Sequence, residues 1–480
     1  LIRIQQAKYL TIFKNKMLIN KKDTIHIIGI GGIGMSGIAE IMSEMGFRVQ
    51  GSDVSRNNNI DRLTRKKIKV FIGHKASNVN KTNIVFFSTA IKDNNIEILT
   101  AQKNNIPTLP RFKILSHLMR LKKGIAISGS HGKTTTTTMV SSILMSQNLK
   151  PTIINGGIIN EIGTNTQLGS GDWMVVEADE SDGTFLKLPA TISVVTNIDK
   201  EHLDFYKNFS DLQKSFKKFI NQVPFYGFSV VCNDDLYLRK MMKDITATQI
   251  VKYGFSKDSD IRAINIRIKN ECVIFDVENN LKKDDKKIIK NYELPMLGSY
   301  NILNSLVGIA ISLKLKLPQR LTKIALKNFN GVSRRFTKIG SFKNNIFIDD
   351  YAHHPTEIEN VLSAAKQSKL SNNVIAVFQP HRYSRVESLQ NDFSKCFKKA
   401  DIVLVMDVYA AGEKNVNSFK IEKLTKLIKK NSNVKTYYVK SLDLLSNFLH
   451  KDKKNLVIFM GAGDISNKAI SLVSKLRDGI

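Results

Sequence analysis

A phosphate-binding pattern between residues 125 and 139 constrains this chain more than any other stretch. The sequence IAISGSHGKTTTTTM begins as a short apolar strand, turns tightly through Gly129 and Gly132, and continues as a helix opened by Lys133. The first turn of a helix has free backbone N–H groups and the positive end of the helix dipole, so it binds phosphate. A lysine there reaches the terminal phosphates, and the Thr134 hydroxyl is placed to bind the Mg²⁺ that accompanies a nucleotide.

This loop is shorter than the common phosphate-binding pattern. Four residues between the two glycines would require glycine where the chain has Ile127. The strand before the loop and the apolar helix face after it nevertheless supply the context that the pattern needs. We therefore predict a nucleoside-triphosphate site built on a shortened loop.

Length and composition indicate a multidomain globular protein. The 480 residues suggest about three domains at ~150 residues each. No apolar run approaches the ~20 residues of a membrane span, and residues 1–20 mix Lys and Arg with apolar residues. We expect no signal peptide, no membrane insertion and a cytoplasmic location. Cys232, Cys272 and Cys396 are widely spaced, which favours neither a disulfide framework nor a zinc site.

The formal net charge of +31 would suit a protein that binds polyanions. The lysines, however, are scattered over every segment instead of forming one stripe with interleaved aromatic residues. Specific nucleic-acid binding is therefore not expected, and a basic nucleic-acid-binding ATPase is kept only as an alternative.

A second nucleotide-binding pattern lies near the N-terminus. An apolar strand from Ile25 runs into Gly29-x-Gly31-x-x-Gly34, and Asp53 closes the next predicted strand. This is the dinucleotide fingerprint, in which a pyrophosphate occupies a helix N-terminus and a carboxylate faces a ribose. An NAD-dependent oxidoreductase satisfies the pattern, and so does a protein that binds a UDP-sugar. Both alternatives stay open on the residues alone.

Polar clusters follow two very apolar strands of the central region, Trp173–Ala178 and Ile192–Asn197. Such continuous hydrophobicity is typical of a parallel sheet covered on both faces. Ligands bind at the carboxyl ends of these strands, so both clusters should converge on the phosphate loop as candidate Mg²⁺ ligands. The clusters are Glu177, Asp179, Glu180, Ser181 and Asp182, then Asn197, Asp199, Glu201, His202 and Asp204.

The last third of the chain again alternates strands and helices. The segment 300–314 reads as an amphipathic helix with Asn301 and Asn304 near its start, where paired amides can contact a purine. Strands are predicted at 346–350, 374–379, 402–408 and 456–460, each followed by polar residues. The adjacent His353 and His354 point apart, and no further ligand stands at metal spacing, so substrate binding is the better interpretation.

With these motifs in order, the chain resembles the Mur ligase family, the ATP-dependent amino-acid ligases of peptidoglycan synthesis. The resemblance rests on GIGGIGMSGIAE (29–40), GSHGKTTTT (129–137), EADESD (177–182), NIDKEHLD (197–204), GSYNILN (298–304), GVSRRF (331–336), DDYAHHPTE (349–357), FQPHRYSR (378–385) and MGAGDI (460–465). It implies an α/β protein of three domains. These are a Rossmann-like UDP-binding domain (1–123), a central P-loop ATPase-like domain with a mainly parallel sheet (124–330), and a Rossmann-like α/β domain (331–480).

The resemblance also implies roles for particular residues. The residues expected to bind the UDP-sugar are Gly29, Gly31, Gly32, Gly34, Met35, Asp53 and Ser88. Those expected to bind ATP are Gly129, Ser130, His131, Gly132, Lys133, Thr134, Thr135, Asn301, Asn304, Arg335 and Asp350. The magnesium ligands are Thr134, Glu177 and His202, and the amino-acid pocket is Tyr351, His353, His381, Arg382 and Arg385. Lys133, His353 and Arg382 would be catalytic.

The implied reaction joins an amino acid to the carboxylate of UDP-N-acetylmuramate, with ATP and Mg²⁺, through an acyl phosphate. The glycine loop followed by Met35 is most similar to family members that add L-alanine, and a peptide-recycling ligase on the same sugar nucleotide is the alternative. Many members carry a carbamylated lysine beside the second metal. Lys217 and Lys218 lie in that region, although a solvated helix face explains them better. A monomer or a homodimer is expected.

Overall fold

The computed structural model describes residues 21–246, 249–269, 272–282, 286–415, 419–449 and 453–478. The first 20 residues, on which the prediction of no signal peptide rests, lie outside these ranges. Three α/β units follow one another along the chain, each built on its own sheet. The predicted fold class is therefore confirmed, while the exact domain boundaries stay a prediction.

The N-terminal sheet has five parallel strands in the order β3-β2-β1-β4-β5. The central strand is buried almost throughout, which explains its apolar sequence IHII. Strand order reverses between β1 and β4, the place where such sheets bind nucleotides. The elements are β1 (Thr24–Ile28), α1 (Ile33–Glu44), β2 (Arg48–Asp53), α2 (Asn58–Arg65), β3 (Lys69–Ile72), β4 (Ile84–Phe87), α3 (Ile96–Lys103), β5 (Thr108–Pro110) and α4 (Arg111–Arg120).

The middle sheet has ten strands in the order β15-β14-β13-β12-β11-β10-β6-β9-β7-β8. Its centre is parallel, as the sequence predicts. The elements are β6 (Lys123–Ser128), α5 (Lys133–Ser146), β7 (Thr152–Ile159), β8 (Thr164–Gln167), β9 (Trp173–Glu177), β10 (Ile192–Val195), α6 (Leu203–Tyr206), α7 (Phe209–Asn221), β11 (Phe228–Cys232), α8 (Leu236–Met241), β12 (Ile250–Gly254), β13 (Ile261–Lys269), β14 (Cys272–Asn279), β15 (Lys287–Leu294), α9 (Ser299–Lys314) and α10 (Gln319–Lys327).

Both ends of this sheet carry antiparallel strands that the sequence analysis does not predict. Strand β8 pairs with β7 at one end, and β13, β14 and β15 form a meander at the other. Helix α9 also differs from the prediction of an amphipathic helix, because it is buried around most of its circumference. It packs against α5, the helix that follows the phosphate loop.

The C-terminal sheet has six strands in the order β16-β17-β21-β18-β19-β20, of which only β16 runs antiparallel to its neighbour among the described strands. The elements are β16 (Thr337–Phe342), β17 (Asn345–Asp350), α11 (Pro355–Gln367), β18 (Asn373–Phe378), α12 (Tyr383–Ser388), α13 (Gln390–Phe393), β19 (Ile402–Val405), α14 (Ile421–Ser432), β20 (Lys435–Tyr438), β21 (Asn455–Met460) and α15 (Ile465–Asp478). The ends of β17, β18 and β21 carry the polar motifs noted in the sequence.

The N-terminal and middle units share one continuous apolar core, which runs from Ile25 to Phe329 and also includes Ala364 of the C-terminal unit. Their contact is close: a Cβ on Gly37 of α1 would lie 2.1 Å from Cγ2 of Thr166 in β8. Hydrogen bonds reinforce it, since Asn165 Nδ2 donates to the Ile33 carbonyl over 2.8 Å. The C-terminal sheet instead has its own apolar cluster on each face. Within the described residues no helix is long and apolar enough to cross a membrane.

Candidate active site

The phosphate loop has the backbone geometry that its two glycines predict. Gly129 and Gly132 have φ angles of 130° and 82°, which L side chains rarely adopt. Both also lie against neighbours, because a Cβ on Gly129 would be 2.1 Å from Thr196 Oγ1 and one on Gly132 would be 2.6 Å from Asn304 Oδ1. Helix α5 then begins at Lys133, so its free N–H groups face the loop as anticipated.

Lys133 is held inside the loop by a buried carboxylate. Its Nζ lies 2.8 Å from Glu180 Oε1 and donates to the carbonyls of Gly129 and Ser130 over 2.6 and 3.1 Å. Burial alone would lower the pKa of this lysine, but the charges of Glu180 and Asp179 outweigh burial and raise it. Lys133 is therefore a full positive charge at the centre of the loop.

The predicted metal ligands lie around this lysine. Thr134 Oγ1 donates to Glu177 Oε1 over 3.2 Å, and His202 Nε2 lies 3.5 Å from Glu180 Oε1. Among the described residues, Glu180 Oε2 is buried without a hydrogen-bond partner. A hydroxyl, two carboxylates and an unused carboxylate oxygen are the hard donors that Mg²⁺ binds. The residues present thus fit a magnesium ion held with a nucleotide.

A cavity of about 280 Å³ lies beside the loop and takes in the predicted nucleotide residues. Its lining includes His131, Gly132, Thr135, Asn301, Asn304, Arg335 and Asp350. Asn301 donates to the Leu297 carbonyl over 2.7 Å, while its Oδ1 is buried and unpartnered within the described structure. A free amide acceptor on a buried wall is suited to an amino group such as the one on adenine.

Asp350 ends β17 and joins the C-terminal unit to this cavity. Its two carboxylate oxygens accept hydrogen bonds of 2.7 Å from the backbone N–H groups of Phe336 and Ala352. Burial raises the pKa of Asp350 to about 6, although Arg335 and both N–H groups act in the opposite direction. The carboxylate is consequently fixed in place and sensitive to pH near neutrality.

A second cavity, of about 410 Å³, lies where all three units meet. Lys133, Thr134, Glu177 and His202 line one wall, and Ile33 of helix α1 contributes from the N-terminal unit. Residues of the predicted amino-acid pocket line the opposite wall, namely Tyr351, His353 and Arg385. Residues of both acidic clusters thus lie beside the phosphate loop, as expected for the carboxyl ends of these strands, while their roles in binding stay a prediction.

The two arginines of the predicted pocket have different positions. Arg385 lines the larger cavity and donates from Nη1 toward His381 Nδ1 over 3.3 Å. Arg382 has a φ of 66°, precedes helix α12 and is exposed, and it is not part of the cavity lining. Of this pair, Arg385 is the one placed to contact a bound carboxylate.

The rings of His353 and His381 meet edge to face, with centroids 6.0 Å apart and planes inclined at 69°. Burial lowers the pKa of His353 to about 4, against the opposing charge of Glu357. Burial and the charges of His353 and Arg385 lower the pKa of His381 to about 4 as well. His353 Nδ1 lies 2.9 Å from the Tyr351 carbonyl, so in the neutral ring that nitrogen carries the hydrogen and Nε2 is left as an acceptor.

The N-terminal glycine loop is built differently from the fingerprint expectation. The carboxylate of Asp53 accepts a 2.8 Å hydrogen bond from the Gly31 N–H, so it braces the loop. Met35 is 2% exposed and packs in the core, so its side chain is not free to contact a ligand. A Cβ on Gly34 would lie 2.5 Å from the Arg111 guanidinium. Ser88 Cβ approaches Gly29, at the carboxyl end of β4.

Asp199, Thr356 and Glu357 connect the middle and C-terminal units, and the sequence predictions assign this contact to none of them. Asp199 Oδ2 accepts from Thr356 Oγ1 over 2.7 Å and lies 3.0 Å from His131 Nε2. Glu357 lies 3.5 Å from His131 and 3.8 Å from Arg335, and it accepts from the His353 N–H over 3.1 Å. Burial alone would raise the pKa of Glu357, but His353 and His131 hold it well below its usual range.

The electrostatics of His131 follow from the same contacts. Burial alone would lower the pKa of its imidazole, but the charges of Glu201, Asp199 and Glu357 raise it to about 10. The phosphate loop therefore carries a second cation besides Lys133. Asp199 and Glu357 do occur inside the motifs NIDKEHLD and DDYAHHPTE, although no sequence pattern indicates that they face the same histidine.

The two lysines considered for carbamylation, Lys217 and Lys218, lie outside the larger cavity. Lys217 Nζ is 3.7 Å from Asp244 Oδ2, and Lys218 is exposed on the same helix, α7. Neither residue is part of the lining of the larger cavity. This agrees with the interpretation of both as a solvated helix face.

The fold and the site together define a three-domain α/β enzyme with a phosphate-binding loop at its centre. Three family models match the chain in sequence: "Mur ligase family, catalytic domain" at residues 24–123, "Mur ligase middle domain" at 127–312, and "Mur ligase, glutamate ligase domain" at 334–463. The chain belongs to the Mur ligase family.

Individual members of the family are similar to this chain over almost its whole length. A UDP-N-acetylmuramate–L-alanine ligase from Bartonella tribocorum is 45% identical over 455 residues, which cover 94% of this chain and 96% of the relative. A crystal structure of a UDP-N-acetylmuramate–alanine ligase from Thermotoga maritima superposes with a TM-score of 0.80 at 29% identity, covering 95% of this chain and all of that one. A murein peptide ligase from Psychrobacter arcticus, with a TM-score of 0.69 at 22% identity and 95% and 98% coverage, shares the fold.

Proposed function

We propose that this protein joins L-alanine to the carboxylate of UDP-N-acetylmuramate at the expense of ATP, as an enzyme of peptidoglycan precursor synthesis. One observation carries the proposal. The larger cavity is lined jointly by the phosphate loop, by the loop that bears His353 and Arg385, and by the start of helix α1 after the glycine loop. Three substrates can thus meet in one space. The high identity to L-alanine ligases over nearly the whole chain supports the choice of amino acid.

The residues of the phosphate loop act on ATP. The N–H groups at the start of α5 and the charge of Lys133 bind the terminal phosphates and neutralise the charge that develops during phosphoryl transfer. Because Lys133 is paired with Glu180 in this structure, it exchanges that partner for phosphate when ATP binds. Thr134, Glu177 and His202 would hold Mg²⁺, which would neutralise further phosphate charge.

Phosphoryl transfer to the sugar carboxylate gives an acyl phosphate, whose phosphate is a good leaving group. The neutral amine of L-alanine then attacks the acyl carbon, the C–O bond to phosphate breaks, and the proton that the amine loses leaves with the phosphate as hydrogen phosphate. Arg385 pairs with the carboxylate of alanine, since a guanidinium binds carboxylates through two parallel hydrogen bonds. His353 is uncharged near neutral pH, so its Nε2 can accept a hydrogen bond from the amine and orient it.

A thermal-shift series tests the substrate class. UDP-N-acetylmuramate should raise the Tm of the protein, while NADH at the same concentration should leave it unchanged. An NAD-dependent oxidoreductase would give the reverse pattern. A separate assay measures ATP hydrolysis with added DNA or RNA, because nucleic acid would stimulate hydrolysis by a nucleic-acid-binding ATPase. The affinity of such a protein for nucleic acid would also fall steeply with salt. We expect no stimulation, and stimulated hydrolysis that ignores UDP-N-acetylmuramate would contradict the proposal.

A further inference from the structure

Two histidines from different units face each other across the contact between the middle and C-terminal domains. The rings of His131, in the phosphate loop, and His354, before helix α11, have centroids 4.8 Å apart. One nitrogen of each ring faces the same oxygen: His131 Nε2 and His354 Nδ1 lie 3.0 and 3.7 Å from Asp199 Oδ2. Asp199 is thus within hydrogen-bonding distance of His131 and close to His354.

The remaining nitrogen of each ring is buried and makes no hydrogen bond among the described residues, although Glu357 Oε1 lies 3.5 Å from His131 Nδ1. His131 Nδ1 and His354 Nε2 are both without a hydrogen-bond partner within the described part of the chain, and the His354 side chain is only 4% exposed. A third donor stands beside them, because Glu201 Oε1 is 4.0 Å from His354 Nε2. One donor atom each from His131, Glu201 and His354 falls within 4.8 Å of the others.

We propose that His131, Glu201 and His354 form a binding site for a transition-metal ion of the zinc class, distinct from the magnesium that accompanies ATP. Two imidazoles and a carboxylate are donors that Zn²⁺ prefers over Mg²⁺, which takes oxygen ligands. Histidines that bind metals normally give their other ring nitrogen to a carboxylate, and Asp199 is in that position for His131, while His354 Nδ1 lies 3.7 Å from the same carboxylate oxygen. The donor atoms need to approach by about an ångström to reach tetrahedral spacing at Zn–N bonds of ~2.0–2.1 Å.

Local chemistry is compatible with an ion at this place. Asp199, Glu201 and Glu357 surround His131 with negative charge, and a divalent cation would supply the positive charge that the protonated imidazole otherwise provides. His354 Nδ1 now accepts a long 3.4 Å hydrogen bond from the Thr356 N–H at the start of α11. If a metal occupies Nε2, Nδ1 turns to Asp199, and Glu357 still caps the helix through the backbone N–H groups of His353 and His354.

An ion at this site would tie together two domains. His131 and Glu201 belong to the middle unit and His354 to the C-terminal unit, so the bound metal would hold the wall bearing His353 against the phosphate loop. Since lids and domains must open to release product, such a tie would lower the turnover rate while raising thermal stability.

The experiment uses Co²⁺ as a spectroscopic probe for the zinc class, on full-length protein freed of metal with a chelator and kept in excess Mg²⁺ without nucleotide. We expect one equivalent of Co²⁺ with intense visible absorption of a four-coordinate site, displaced by Zn²⁺, and a raised Tm. His354→Asn keeps a capping side chain and removes the imidazole. Because outer partners of metal ligands alone are worth ~10–100-fold in affinity, this loss should weaken Co²⁺ binding by at least about 100-fold.

Two further variants assign the ion to its place. His117→Gln removes an exposed histidine of helix α4 and should bind Co²⁺ like the wild type. His202→Asn alters a second, neighbouring cluster of possible metal ligands, formed by Glu180, Glu201 and His202. This variant should still bind Co²⁺ at the proposed site. The proposal is overturned if the wild type binds no Co²⁺, if His354→Asn binds it unchanged, or if His202→Asn alone abolishes binding. All of these measurements omit substrates, so the ligase assignment does not affect them.

Discussion

Replacement of Lys133 by alanine separates the catalytic role of this residue from its structural role. In the structure its ammonium is paired at 2.8 Å with Glu180, a carboxylate whose side chain is 1% exposed. Breaking a buried pair from one side costs about 3–5 kcal/mol, because it leaves an uncompensated charge. His202 lies 3.5 Å from the same carboxylate and supplies partial compensation, so we expect a loss of about 3 kcal/mol in the free energy of unfolding.

The double variant Lys133→Ala with Glu180→Gln removes that stranded charge. We expect it to recover most of the stability that Lys133→Ala loses. Activity should not recover, because the group that neutralises the transferred phosphate is absent in both variants. A single preorganised charge-stabilising donor is worth about 10²–10³ in kcat, and charged groups on transferred phosphates reach about 10³–10⁵. We therefore expect phosphate release at least about 10³-fold below wild type in both.

The assay measures phosphate release with all three substrates, beside denaturant unfolding of each variant under the same conditions. A single variant within tenfold of wild-type activity would remove the loop from the chemistry. Equal recovery of stability and activity in the double variant would also refute the reasoning, since it would mean that Lys133 serves only to neutralise Glu180.

The remaining predictions concern the amino-acid wall, the domain contact and pH. Arg385→Ala should raise the KM for alanine at least about tenfold while the KM for ATP stays near wild type. Arg382→Ala, at an exposed position, should raise the KM for alanine less. Steady-state kinetics with each substrate varied in turn measures both KM values. Gly37→Ala should cost about 1–3 kcal/mol by overpacking, and adding Thr166→Ser should restore part of the Tm because Cγ2 is the atom in conflict. The pKa of Asp350 is about 6 in the folded protein against an ordinary 3.8, so its stabilising contribution is complete below about pH 4 and is lost as pH rises through about 6. The Tm of wild type relative to Asp350→Asn should fall across that window, and a constant difference would contradict the assignment.

Local sequence patterns predict the parts of the structure that depend on neighbouring residues in the chain. The strand–loop–helix unit around Lys133 and the polar residues at strand ends follow from hydrophobic runs and glycine positions. The sequence does not indicate the antiparallel strands β13 to β15, because their alternation is interrupted by bulges. It does not indicate the burial of α9 either, since both faces of this helix are covered by other elements.

The candidate site shows the same division. The residue types at the phosphate loop and at DDYAHHPTE indicate nucleotide and substrate chemistry, and the structure brings them to one cavity. The direction in which each side chain points cannot be predicted from these local patterns. Whether Arg382 or Arg385 enters the cavity depends on the left-handed backbone at Arg382, and the link from His131 to Asp199 and Glu357 depends on how two domains meet. Neither has a local sequence signal.

The relative kcat/KM for amines tests the central claim most directly. Phosphate release is measured with ATP and UDP-N-acetylmuramate fixed, while L-alanine, glycine, L-serine, a bulky amino acid and the tripeptide L-Ala-D-Glu-diaminopimelate are compared. We predict that L-alanine is best, with glycine and L-serine lower, because one misfit methylene in a pocket is worth about 1–3 kcal/mol. A higher kcat/KM for the tripeptide would contradict the account and indicate a peptide-recycling ligase.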